Sequence, residues 1–224
     1  IGKLLGFKFL NNFKFPYFSR DIAEFWRRWH ISLNTWFRDY LYIPLGGSRV
    51  SKAKVVRNTF AIFLVSGFWH GANWTFIAWG AFHAFLFLPE ILAGKNRKYT
   101  NTVAENRILP TFKEFFQMLL TFSLVVVGWV FFRAETIGDA VEYLGGIMDM
   151  SLFSTSILIR KKLALQLVIS IFCFMVVEWL QRNKQHGLEI PQINAWFRRL
   201  IYIAIICSIV MFCGENEEFI YFQF

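Results

Sequence analysis

Residues 60–92, FAIFLVSGFWHGANWTFIAWGAFHAFLFLPEIL, form a nearly continuous apolar stretch. A bilayer-crossing helix needs about 20 predominantly apolar residues. Backbone groups in lipid must find their partners within the protein. A stretch like this therefore limits the chain to helices or closed barrels. Alternating strand patterns are absent, which argues against a barrel. Further apolar segments cover about 115–132, 163–180 and 200–213, and the stretch itself divides into about 57–69 and 74–92. The chain is 56% apolar and 20% aromatic, with 28 Phe in 224 residues. Soluble domains average about 45–50% apolar. The expected fold is all-α: a polytopic membrane helix bundle, with residues 1–224 forming part of a single membrane domain.

The segment 19–41 has a different pattern. Ile22, Phe25, Trp26, Trp29, Leu33, Trp36, Phe37 and Tyr40 recur every three or four residues. Arg20, Arg27 and Arg38 fall opposite them. Ser19 is a candidate N-cap after Pro16, and Asp21 and Glu24 suit a first turn. These features predict one amphipathic helix of about twenty residues lying in the membrane interface, ended by Pro44, Gly46 and Gly47. His30 sits at the margin of its two faces. A short surface helix is expected within 139–150.

Charge is unevenly spread. The net charge is +9, and residues 1–57 hold eleven Lys/Arg against three Asp/Glu. A basic segment beside the first span points to a cytoplasmic face. It suits anionic lipid or a phosphate-bearing ligand, and nucleic acid is not expected. Residues 1–18 lack the layout of a secretory signal. The chain also starts with Ile, which suggests a piece of a longer protein. Cys173, Cys207 and Cys213 have neither metal-site nor disulfide spacing. The four histidines form no HxxxH pair, so no metal is expected.

His70 lies in SGFWHGANW, between Gly67 and Gly71. Segment 57–69 is too short to cross alone, so 66–73 reads as a break lining a cavity. An ionisable residue at membrane depth is a functional candidate. A neutral imidazole there could serve as a general base. Asn73 could orient it or donate to a developing oxyanion. The pattern leaves a second reading equally open, a structural histidine bonded to a neighbouring helix. The same pattern makes His30 an ordinary interfacial residue. It makes His83 a helix-to-helix hydrogen-bonding residue and His186 a solvated loop residue.

FPYFSRDIAEFWRRWHISLNTWFRDYLYIPLGGSR and FLVSGFWHGANWTFIAWGAFHA resemble the membrane-bound O-acyltransferase (MBOAT) family, alginate O-acetyltransferase type. LVVVGWVFFRAETIGDA and the terminal FIYFQF match the same type, corresponding to its C-terminal half. The resemblance implies that His70, in WHG, and His30, in RWHIS, are catalytic; Trp69, Asn73 and Arg38 are the candidate substrate-binding residues, with lipid head-group anchoring an equal reading for Arg38. It implies no bound cofactor and a thioester donor, acetyl-CoA or an acyl-carrier thioester. It also implies a bacterial cytoplasmic membrane location, a polysaccharide acceptor and a periplasmic or extracellular transferase partner. D-alanyl transfer to teichoic acid is the alternative within the class. A transporter with His70 as proton relay and a scaffold for polysaccharide export are the alternatives outside it.

Overall fold

The computed structural model describes residues 5–7, 11–147, 161–185, 187, 189 and 194–211. Its helices are α1 (Ile22–Arg28), α2 (Ile31–Phe37), α3 (Lys52–His70), α4 (Trp74–Leu92), α5 (Phe112–Arg133), α6 (Ile137–Ile147), α7 (Lys161–Gln181) and α8 (Ala195–Met211). No strand occurs among the described residues. The chain divides into two units, Ile1–His186 and Gly187–Phe224, and α8 belongs to the second. His186, Cys213 and the C-terminal FIYFQF lie outside the described residues.

The helices α4 and α5 are long and apolar enough to cross a bilayer, and the apolar part of α7, Leu165–Gln181, is shorter. Their large side chains are widely exposed, including Phe85 on α4, Phe116 and Leu120 on α5, and Phe172 on α7. Exposed apolar faces of this extent suit lipid rather than water.

Backbone contact between glycines and facing carbonyls sets the spacing of α3 and α4. A Cβ on Gly67 would lie 2.3 Å from the Phe76 carbonyl oxygen. One on Gly80 would lie 2.3 Å from the Phe63 carbonyl oxygen. Small residues at such crossings let membrane helices approach closely. Gly67 is therefore a packing glycine within α3 and not one edge of a break. The helix runs unbroken through His70, and only 71–73 separate it from α4. The expected break at 66–73 is thus a tight corner, and the segment expected at 57–69 is a 19-residue helix.

The expected single helix over 19–41 is corrected to two short helices. Trp29 is extended, and His30 takes the left-handed conformation at φ 46°, ψ 52°. The cause is Asn34, whose side-chain amide donates to the carbonyls of Trp26 (2.7 Å) and Trp29 (2.6 Å). Carbonyls at the end of α1 thus gain a partner that a continuing helix would have supplied from its backbone. The cap of α1 is Asp21, whose side chain accepts from the Glu24 amide at 2.6 Å, and not Ser19.

Nor does α1 lay a charged face in water. Glu24 is 1% exposed, and Arg20 and Arg28 are buried with it. Both guanidinium groups donate to the Glu24 carboxylate and to the Asn101 carbonyl. The opposite face, Ile22 and Phe25, packs with Val125 of α5. Arg182, after α7, donates to the carbonyls of Val103 (3.0 Å) and Ala104 (2.8 Å), tying that loop from the other side. Residues 15–25 and Arg28 are therefore built into the bundle, while α2 buries Phe37 and leaves Trp36 exposed.

Candidate active site

His70 is the last residue of α3, and aromatic rings surround it. Trp79 and Phe76 come from α4, Phe132 from α5 and Trp69 from α3 itself. Ring centroids lie 5.0 Å away for Trp69, 5.4 Å for Trp79, 5.0 Å for Phe132 and 6.4 Å for Phe76. The corner after His70 brings α4 back along α3, and the end of α5 closes the third side. Among the described residues, no group hydrogen-bonds the His70 ring. It is thus held by packing, with its nitrogens uncommitted.

His30 is set by the break between α1 and α2. A left-handed non-glycine residue is uncommon and is often found at functional sites. Its Nδ1 is buried without a hydrogen-bond partner. Burial also holds its pKa below the ordinary histidine value, so the ring is neutral near pH 7. Trp29, beside His30, lies 5.5 Å from Trp129 of α5, and Phe132, three residues further along α5, lies 5.0 Å from His70. The fold therefore turns two histidines forty residues apart in sequence toward the same end of α5.

The other expected site residues divide. Trp69 touches the His70 ring but is half exposed. Among the described residues, Asn73 makes no hydrogen bond to His70. Its side-chain oxygen caps α4 by accepting from the Thr75 amide (3.1 Å), and its amide donates to the Glu135 carbonyl (3.0 Å). Arg38 is exposed and donates to Asp39 at 2.7 Å. It also lines a cleft of about 320 Å³ with Arg27, Arg97, Asn34, Tyr42 and Trp26. Arg20, grouped with Arg27 and Arg38 by sequence, belongs to the buried Glu24 cluster instead.

The cleft lies toward the Lys52 end of α3. Its nearest α3 residue to the histidine is Phe63, seven positions from His70, about 10 Å along the helix. Arg97 was not foreseen, since one cation in a basic loop carries no sign of the cleft it joins. His83 also departs from expectation. It is 1% exposed, and neither ring nitrogen has a hydrogen-bond partner. The expected helix-to-helix bond is absent because Nε2 faces Gly128 of α5, where a Cβ would lie 2.7 Å away. Among the described residues, no group of His, Cys, Asp and Glu could hold a metal.

Residues 4–130 match the MBOAT, membrane-bound O-acyltransferase family. The chain belongs to that family. The matched range contains His30, His70, His83 and the arginine-lined cleft. The chain is 36% identical over 244 aligned residues to the probable alginate O-acetylase AlgI of Pseudomonas putida, covering 100% of this chain and 48% of that protein. It is 40% identical over 151 residues to the peptidoglycan O-acetyltransferase of Helicobacter pylori, covering 67% of this chain and 27% of that protein. It is 42% identical over 90 residues to the teichoic acid D-alanyltransferase of Streptococcus thermophilus, covering 37% and 22%. The chain thus spans less than half the length of these relatives.

Proposed function

We propose that the protein containing this chain is a multi-pass enzyme of the bacterial cytoplasmic membrane. It transfers an acetyl group from a cytoplasmic thioester, such as acetyl-CoA, toward hydroxyls of a periplasmic or extracellular polysaccharide. The observation that carries the proposal is His70, held by packing in an aromatic cage with no hydrogen bond to its ring among the described residues, about 10 Å along α3 from an arginine-lined cleft. Arg27, Arg38 and Arg97 receive the donor's phosphates, and the arm between phosphate and thioester spans the distance to His70. The basic N-terminal segment supports a cytoplasmic side for the cleft.

His70 takes the proton of the acceptor hydroxyl as its oxygen bonds to the thioester carbonyl carbon. The tetrahedral intermediate collapses by breaking the carbon–sulfur bond. The departing thiolate takes the proton back from the imidazolium, leaving a free thiol and an ester. His30 orients the donor. A partner transferase then moves the acetyl group from that ester to a polysaccharide hydroxyl: the first ester C–O bond breaks, and the proton lost by the polysaccharide hydroxyl returns to the first oxygen.

The longer reach of the O-acetylase matches supports acetyl over D-alanyl transfer. The test is His70→Ala in the full-length protein in its host. Polysaccharide O-acetylation is lost at unchanged protein level. Normal acetylation in that variant overturns the assignment of His70.

A further inference from the structure

Along α4, Thr75, Trp79 and His83 recur every four residues, so they share one face of the helix. All three are nearly fully buried, at 1%, 4% and 1% exposure. Thr75 Oγ1, Trp79 Nε1 and both nitrogens of His83 lack hydrogen-bond partners. So does the buried Trp26 Nε1, and the Trp26 ring lies 5.0 Å from His83 and 5.7 Å from Trp79. Helical rise places Thr75 about 12 Å from His83, so these atoms form a line and not a point.

The middle and the His83 end of this line each meet a feature already described. Trp79 contacts His70 at 5.4 Å. Trp26 and Phe63 line the arginine cleft, and both rings contact His83, at 5.0 and 6.3 Å. A stripe used only for packing would be Val, Phe and Leu, because an unmet buried donor or acceptor is costly. Here five buried polar atoms without a partner among the described residues lie along one run of packed aromatic rings.

We infer that Thr75, Trp79, His83 and Trp26 form a binding site for a short file of water molecules between the arginine cleft and His70. The atoms supply what such water needs. The two indole N–H groups donate, the hydroxyl does both, and neutral imidazole offers one donor and one acceptor. A buried water typically makes about three hydrogen bonds. The cleft supplies the water, and Trp26, which lines it, joins it to the file.

The inference goes beyond the acyl-transfer proposal and stands without it. Pulsed X-ray hydroxyl-radical footprinting of the full-length protein in lipid nanodiscs tests it, because radicals form on bound water itself. Corrected for intrinsic reactivity, Trp79 should oxidise at least tenfold faster than Phe25 and Phe37, which are as deeply buried. His83→Phe should reduce Trp79 oxidation at least fivefold, while His83→Gln, which can still donate and accept, should retain it. Thr75→Val provides a second variant with little change of volume. Trp79 protected as fully as Phe25 in the wild-type protein overturns the inference. So does Trp79 oxidation that is unchanged in folded His83→Phe.

Discussion

The imidazole of His83 occupies the space that a side chain on Gly128 would need, with a Cβ at 128 falling 2.7 Å from His83 Nε2. Gly128→Ala should therefore force α4 and α5 apart or push His83 off its rotamer, costing about 1–3 kcal/mol. Since the clash is with one side chain, His83→Ala in the same protein should relieve it. A thermal-melting double-mutant cycle checks this. Additive losses contradict it.

Gly67 and Gly80 should behave differently. Each faces the carbonyl of a neighbouring helix and not a movable side chain. Gly80→Ala should lower thermal stability sharply, and no single substitution at Phe63 should restore it. The same melting assay in detergent measures both variants.

The buried Glu24 cluster gives a third expectation. Removing one partner of a buried ion pair leaves an uncompensated charge and costs about 3–5 kcal/mol. Glu24→Gln leaves Arg20 and Arg28 facing each other at 3% and 10% side-chain exposure. Chemical denaturation should show a loss of that order. Asp39→Asn, whose partner Arg38 is exposed, should change stability little.

His30 sets a pH dependence whose sign follows from its burial. Its folded pKa lies below the ordinary value of 6.5. Below pH 6.5 the unfolded chain therefore binds more protons than the folded protein at this site. Its contribution to stability is intact above about pH 6.5 and is lost as pH falls toward the folded pKa. His30→Gln should flatten that part of a stability–pH curve. An unchanged slope contradicts the neutral, buried ring.

How much was legible in the sequence depended on the range of the interactions. The runs at 74–92 and 115–132 are long, and α4 and α5 appear within a few residues of those bounds. Periodicity failed over 19–41, where an apolar stripe at helical spacing cannot show that Asn34 takes the carbonyls of Trp26 and Trp29. It also assigned Arg20 to an exposed face, because burial of Arg20 depends on Glu24, Asn101 and a loop eighty residues away. His70 drew attention by its apolar flanks. His30 gained weight only through its motif, since its left-handed backbone and its place toward the same end of α5 as His70 are tertiary. His83 looked like an ordinary bonded histidine, because sequence alone could not place Gly128 against its nitrogen.

The central claim is that His70 performs acyl-transfer chemistry. Full-length protein in proteoliposomes, given acetyl-CoA labelled in its acetyl group and a soluble hydroxyl acceptor, tests it most directly. The account predicts label in the acceptor for wild type and at least a 100-fold lower rate for His70→Ala, with the variant melting like wild type. Equal rates in the two proteins would contradict it.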